Sequence, residues 1–301
     1  MKKLSLVINT KNAAELLEKT LKSCQSIADE IVVLDMHSTD KTRKIAKKYK
    51  AKVYLHKDLG FADPARNFAL SKARGDWILV LDADEEISKK LAEKITKLIN
   101  SDSKYGAYYL PRKNIIWKKW ISHTAWWPDY QLRLFKNGTV KWTDRVHTLP
   151  ETKEKVAYLE AEEDLAIIHY NYTSVSQYVS RLNRYTDLEI EQRKTSEELN
   201  SNRIIKRFFN EFRHRALIKE GFKDGVHGIS LSFLQAAYQI VAELKAHEEQ
   251  LNKRSPIKAE EAIMTLREAI ADLHFSIADH YVQNNTGLKR LYWKFRRKYK
   301  I

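Results

Sequence analysis

The chain has 301 residues, 43% of them hydrophobic and 31% charged, which describes a globular protein with a substantial core in one large domain or two modest ones. Its single cysteine, Cys24, excludes an intramolecular disulfide and fits a reducing compartment such as the cytoplasm. Fifty-four Lys and Arg against thirty-nine Asp and Glu leave a net charge of +15, a surplus that favours phosphate-bearing partners: nucleotides, nucleic acid or anionic lipid.

Taken in chain order, the first hundred residues alternate between two periodicities. Met1–Thr10 opens with two lysines and an apolar run too short for a signal peptide, and its Leu4–Asn9 segment is strand-like. Ala13–Cys24 places Ala13, Leu16, Leu17 and Leu21 at helical spacing. Glu30–Asp35 predicts a second strand, Asp40–Tyr49 a short basic helix, Lys52–His56 a third strand and Pro64–Ala73 a helix entered through proline. Trp77–Asp82 is the fourth strand and Ser88–Asn100 the helix after it. This alternation implies a mostly parallel sheet covered on both faces. From Lys104 to Tyr172 the chain is rich in Trp, Tyr and His, with short strands predicted at Ala107–Arg112, Gln131–Phe135 and Ala166–His169. Beyond it, helices are predicted over Val175–Thr195, Arg203–Glu220, Val226–Glu249 and Ala259–Gln283. Gly228–Leu244 is the longest semi-apolar stretch, but Ser230, Ser232, Gln235, Gln239 and Glu243 make it too polar to span a bilayer comfortably. The expected division is residues 1–172 and a helical, basic region of residues 173–301.

Ligands of open parallel sheets bind beyond the carboxyl ends of the strands. Three strands end there in polar residues: the first at Asn9-Thr10, the second at Asp35, the fourth at Asp82-Ala83-Asp84 followed by Glu85-Glu86. Alternate carboxylates after a strand can place one on a divalent cation and one on a sugar or ribose hydroxyl, and the cation can neutralise a departing pyrophosphate. The plain alternative is a solvated acidic turn capping the helix at Ser88. The position after the fourth strand, on the rim shared with Asp35, favours the cation. Arg66, early in the third helix, is placed to meet the same ligand. Further on, Trp126-Trp127-Pro128-Asp129 opens a strand in aromatic surroundings. Asp129 there suits a general base for an acceptor hydroxyl, and apolar neighbours would raise its pKa. His147, in Arg145-Val146-His147, is a candidate to complete a metal shell. Trp126 and Trp127 read as packing residues or as stacking partners for a sugar.

At these residues the sequence resembles glycosyltransferase family 2, whose fold is called GT-A. The matching text is Glu30–Asp35 with Ser38-Thr39-Asp40-Lys41-Thr42, then Arg66-Asn67, then Gly75-Asp76-Trp77 through Asp82-Ala83-Asp84-Glu85. More narrowly it is similar to bacterial lipopolysaccharide and lipooligosaccharide core glucosyltransferases, which have parallels to Pro128–Phe135, Arg145–His147 and Gly221–Gly225. The match is strong to about residue 150 and looser to about residue 250. It departs at Ala13, where the family usually has Glu, and at Ala65, where it often has Gln. The resemblance implies a GT-A domain (a Rossmann-like, mostly parallel central sheet) followed by a helical region. It also implies Mg2+ or Mn2+, a nucleotide-diphosphate sugar such as UDP-glucose, and transfer with inversion to a cell-envelope glycan or glycolipid. On this reading Thr10, Asn12, Asp35, Arg66 and Asp82 bind the donor, Asp84 and His147 hold the metal, and Asp129 is the base.

Two basic segments, Arg203–Arg215 and Leu288–Ile301, interleave aromatic and cationic residues, as helices lying in an anionic headgroup layer do. A peripheral position on the cytoplasmic face of the inner membrane is therefore expected. A nucleotidyltransferase would want a glycine- and lysine-rich phosphate loop near strand one, and Asn9-Thr10-Lys11-Asn12 is not one. An Asp-x-Asp phosphatase would carry its pair after strand one. Nucleic acid is disfavoured as a partner because the run Asp82–Glu86 sits where a phosphate backbone needs cations.

Overall fold

The computed structural model describes residues 1–57, 63–143, 149–192, 200–251 and 259–300, which fall into two compact units. The first holds Met1–Trp120 and Trp127–Thr173; the second holds Ser174–Ile301 and also takes Ile121–Trp126 out of the first half, which a linear division of the chain does not show.

In the first unit the elements run β1 (Leu4–Thr10), α1 (Ala14–Cys24), β2 (Glu30–Asp35), α2 (Thr42–Lys48), β3 (Lys52–Leu55), α3 (Asp63–Leu70), β4 (Trp77–Asp82), β5 (Glu85–Ile87) and α4 (Lys89–Asn100). There follow β6 (Ala107–Leu110), β7 (Arg112–Ile116), β8 (Lys119–Trp120), β9 (Gln131–Lys136), β10 (Val140–Lys141), β11 (Glu151–Thr152), β12 (Val156–Tyr158) and β13 (Ile167–Tyr172). Among the described residues the main sheet has seven strands in the order β12-β6-β9-β4-β1-β2-β3. β1 pairs in parallel with both β2 and β4, β2 with β3 and β6 with β12, whereas β9 is antiparallel to its neighbours β4 and β6. The chain leaves β1 toward β2 and β3 on one side and returns to β4 on the other. The switch point of the topology, and the crevice that goes with it, is therefore at the carboxyl ends of β1, β2 and β4.

The near-continuous apolar runs of these strands are explained by burial on both faces. Leu4, Leu6 and Ile8 of β1, with Leu79 and Leu81 of β4, pack against Leu17, Leu21, Leu91, Ile95 and Ile99 of α1 and α4. Val7, Ile78 and Val80 point the other way, against Ala65, Ala69 and Leu70 of α3 and against Phe135 and Trp142. α4 starts where expected because the Ser88 hydroxyl accepts the Leu91 N–H, 2.9 Å away.

The strand predicted over 107–112 divides at Pro111. Proline lacks the N–H a ladder requires, and there the chain leaves the main sheet as β6 and enters a second, four-stranded sheet as β7. That sheet, ordered β5-β13-β7-β8, includes β5, a three-residue strand not predicted from the sequence. In the second unit come α5 (Val175–Gln192), α6 (Ser201–Arg213), α7 (Val226–Ala246), α8 (Glu248–Leu251), α9 (Ala259–Asn284) and α10 (Gly287–Tyr299). The helix predicted over 203–220 ends early. It widens into a π-type turn at His214–Ile218, and Glu220 then takes φ +51°, which ends helical continuity. Asp224, buried at the following turn, accepts the His123 N–H at 2.8 Å and the Ser122 N–H at 3.3 Å, which pins residues 121–126 to this unit. Glu243 of α7 is fully buried between Arg203, Arg207 and His247.

Gly75, in the turn before β4, explains a motif. A Cβ there would lie 2.8 Å from the Ser5 nitrogen and 2.9 Å from the Lys3 carbonyl oxygen, both backbone atoms of the sheet. Gly75→Ala is expected to destabilise the first unit by about 1–3 kcal/mol through forced displacement of β1. Thermal or urea unfolding measures it, and an unchanged midpoint would remove this account of the glycine.

Candidate active site

The rim of the main sheet brings together several of the residues singled out from the sequence. Register pairs Thr10 with Asp35 and Asn9 with Asp82 across β1. Asp35 is fully buried; its Oδ1 accepts the Ser38 N–H at 3.0 Å and lies 3.7 Å from Arg43 Nε. Among the described residues neither Asp35 Oδ2 nor Thr10 Oγ1 has a hydrogen-bond partner, although both are buried. Buried polar atoms without partners are rare, and both of these lie at the carboxyl ends of β1 and β2. Asn12, at φ +48°, ties two rim loops together. Its N–H donates to Ser38 Oγ at 2.8 Å, and its Oδ1 accepts the Thr39 N–H at 2.8 Å.

Asp82 does not stand open. Its Oδ1 takes Arg66 Nη2 at 2.6 Å and its Oδ2 takes Arg133 Nη2, also at 2.6 Å. Burial alone would push its carboxyl up, but the two guanidiniums hold it well below the usual carboxylate range. Arg133 also reaches Glu85 Oε1 at 2.8 Å, and the same oxygen meets Arg112 Nη1 at 3.2 Å. Arg112 then grips Asp129 Oδ2 through Nε at 2.8 Å and Nη2 at 2.6 Å. Three carboxylates and three guanidiniums thus form one compensated, largely buried chain, Arg66–Asp82–Arg133–Glu85–Arg112–Asp129.

Asp129 differs from the sequence expectation in one respect. Burial would raise its pKa, as the aromatic setting suggested, but the Arg112 charge and hydrogen bonds from Asn114, Arg112 and Gln131 outweigh it. The carboxyl lies below its ordinary 3.8. The bonds are unevenly shared. Oδ2 receives Arg112 twice and Asn114 Nδ2 at 3.0 Å, while Oδ1 receives Gln131 Nε2 at 2.9 Å.

The second sheet brings in residues for which the sequence reading had no role. Register places His169 of β13 beside Glu85 of β5 and beside Asn114 of β7. His169 Nδ1 is 2.7 Å from Asn114 Oδ1, and its Nε2 faces Asp84 Oδ1 at 3.7 Å. A carboxylate and an imidazole nitrogen set face to face are the pair of donors that a divalent cation takes. Among the described residues no group of three or more His, Cys, Asp or Glu is placed to hold a metal. His147 and Arg145 lie outside the described residues. Arg112/Asn114, Gln131/Arg133 and His169/Asn171 each sit two apart on a strand. Buried polar residues at that period, aimed at one side, are the pattern that would have found them. Asn67, beside Arg66, clamps the Trp142 backbone from both sides, at 2.8 and 2.9 Å.

The model of the family described as glycosyl transferase family 2 matches residues 5–157. An uncharacterized glycosyltransferase of Rickettsia bellii is 31% identical over 250 residues, covering 77% of this chain and 83% of its own. One of Rickettsia felis is 30% identical over 285 residues, covering 87% and 95%. Among solved structures, S. aureus TarS 1-349 is similar over 85% of this chain and 94% of that one, with a TM-score of 0.43 and 15% identity. With a family model spanning half its length and relatives spanning most of it, the chain belongs to glycosyltransferase family 2 and is a glycosyltransferase of the GT-A fold.

Proposed function

We propose that this glycosyltransferase moves a hexose, with inversion, from a nucleotide-diphosphate sugar to a lipid-linked glycan of the cell envelope. The observation that carries the reading is the rim at which Asp35, Asp82, Asp84 and Asp129 converge, with Asp129 held ionised by Arg112. UDP-glucose as donor and a lipopolysaccharide-type core as acceptor follow from the motif resemblance at residues 128–135 and 221–225. In this scheme Asp35 Oδ2 and Thr10 Oγ1 receive the nucleoside. Asn12 keeps the two rim loops in place around it. Asp82 keeps lone pairs for a ribose or sugar hydroxyl while positioning Arg66 and Arg133 near the diphosphate. Asp84 faces His169, and with His147 these are the groups to hold Mg2+ or Mn2+. A divalent ion there would neutralise the departing diphosphate.

Asp129 takes the acceptor's proton. Oδ2 is saturated by three N–H groups, so Oδ1, with one, is the oxygen that faces the hydroxyl. As that proton moves to Oδ1, the acceptor oxygen bonds to the anomeric carbon from the face opposite the diphosphate. The bond from that carbon to the diphosphate oxygen breaks, and the nucleoside diphosphate leaves with the electron pair. A carboxylate with a depressed pKa is a weaker base than the sequence reading anticipated, but it is ionised at neutral pH and fixed in direction.

The second unit supplies the membrane side of the proposal. Leu288, Leu291, Tyr292, Phe295 and Tyr299 lie at helical spacing on α10, each more than half exposed, among Lys289, Arg290, Lys294 and Lys298. An exposed apolar stripe flanked by cations suits an anionic headgroup layer on the cytoplasmic face. Among the described residues no helix is long and apolar enough to cross a membrane.

Asp84→Asn should abolish the Mn2+-dependent rise in melting temperature that UDP produces, whereas Asp129→Asn should keep that rise and lose about 10²-fold or more in kcat. Full activity in Asp129→Asn removes it from the mechanism. The pH dependence has a definite sign. The ionised form is the active one and its pKa is lowered, so Asp129 contributes no loss of kcat/KM as pH falls from 7 to 5, only below its ordinary 3.8. In Arg112→Met, with burial opposed only by the Asn114 and Gln131 hydrogen bonds, the acidic limb should move upward; a limb that stays put contradicts the assignment. In flotation with phosphatidylglycerol vesicles, Leu291→Glu/Phe295→Glu should lower the bound fraction by about tenfold or more, since each buried side chain is worth about 1.5–3 kcal/mol. Undiminished flotation of the double variant would clear α10 of this role.

A further inference from the structure

The reading above assigns Asp129 to the proton and Asp84 with His169 to the cation, yet these groups belong to different strands and different sheets. One side chain touches both halves. Asn114, on β7, is fully buried. Its Nδ2 donates to Asp129 Oδ2 at 3.0 Å, and its Oδ1 lies 2.7 Å from His169 Nδ1 and accepts Asn171 Nδ2 at 3.3 Å.

An amide has one end that only accepts and one that only donates, so its orientation carries information. Asp129 is ionised and can only accept, which forces the NH2 end of Asn114 toward it. The opposite end is then the carbonyl oxygen, which requires a donor from His169. Nδ1 therefore carries a proton, and in the neutral ring Nε2 is the nitrogen that keeps its lone pair, on the side facing Asp84. A flipped amide would set its oxygen against the Asp129 carboxylate, losing that bond, and would set its NH2 against Nδ1, requiring the imidazole proton on Nε2 instead. The neighbouring Asn171 amide donates to the same oxygen and favours the same orientation.

We infer that Asn114 is a positioning residue that couples the two halves of the site, with one amide fixing both the direction of the base and the tautomer of the cation-facing imidazole. The inference rests on the proposed roles of Asp129, Asp84 and His169. Hydrogen bonds of this kind to metal-facing histidines typically change metal affinity by about 10–100-fold when lost. Here the same group also orients the base, so the two effects are separable by substitution. Asn114→Asp keeps an acceptor for His169 but replaces the donor to Asp129 with a second carboxylate, so Asp129 loses a hydrogen bond and gains a like charge. Asn114→Leu removes both.

The test uses the full chain with Mn2+ and UDP as probes. In Asn114→Asp, the Mn2+ dissociation constant in the presence of UDP, read from the free-ion EPR signal, should stay within about threefold, while kcat falls about tenfold or more. In Asn114→Leu, Mn2+ affinity should fall about tenfold or more as well. Nitrogen-15 shifts of the His169 ring should show the Nδ1–H tautomer in the native protein and lose that preference in Asn114→Leu. Equal losses in both variants, or none, overturn the inference, as does a native His169 protonated on Nε2. If Asn114→Leu does not fold, the split between kcat and Mn2+ affinity in Asn114→Asp decides alone. The ring shifts read Asn114 without turnover. A native protein that shows the Nδ1–H tautomer but neither binds Mn2+ nor turns over sugar nucleotide would sink the proposed function and leave the amide geometry standing.

Discussion

The compensation of three carboxylates, Glu85 buried and Asp82 and Asp129 half-buried, by three guanidiniums is the constraint around which the catalytic unit is built. Asp82, Glu85 and Asp129 could not sit so close together in a low-dielectric rim without Arg66, Arg112 and Arg133 between them. Such networks add little net stability over an apolar core, but removing one member leaves an uncompensated buried charge that costs about 3–5 kcal/mol. The arrangement is better understood as a means of geometry. Each carboxylate is held at two or more points, which fixes its direction.

Geometry of that kind needs rigid supports, and the small β5-β13-β7-β8 sheet provides them. Its register sets Glu85, His169 and Asn114 side by side. β5 begins one residue after Asp84, so the acidic turn is tied to this sheet as well as to the end of β4. The Tyr170 N–H donates to the Asp84 carbonyl oxygen at 2.9 Å, which fixes the turn from the other side. An Asp-x-Asp in a free loop would be a solvated turn. Between two sheets its backbone is held from both sides.

The second unit follows different physics. Its helices are held together by buried polar clasps as well as apolar contacts: Asp224 on residues 122–124, and Glu243 between Arg203, Arg207 and His247. α10 contributes no buried side chain. It is held to α9 by the stack of Trp293 on Tyr281, with ring centroids 4.3 Å apart, and by the Arg297–Asp279 pair at 2.5 Å, and its aromatic stripe stays exposed.

Much of the first unit was legible because hydrophobic periodicity reports burial directly. Runs such as Trp77–Asp82 could only be strands covered on both faces, and their order along the chain placed Asp35, Asp82 and Asp84 at one rim. Asp129 was legible as a carboxylate opening a strand, but not its ionisation. The sequence showed Trp126 and Trp127 beside it and suggested a raised pKa, while the opposing guanidinium is supplied by Arg112, seventeen residues earlier and on another sheet. His169, Asn114 and Arg133 were legible only as polar residues in strands. Local sequence sets periodicity, caps and the proline that ends β6 at Pro111. Partnership between charges depends on strand register, which is decided only when two sheets pack and bring distant positions within 3 Å, and that step belongs to the tertiary structure.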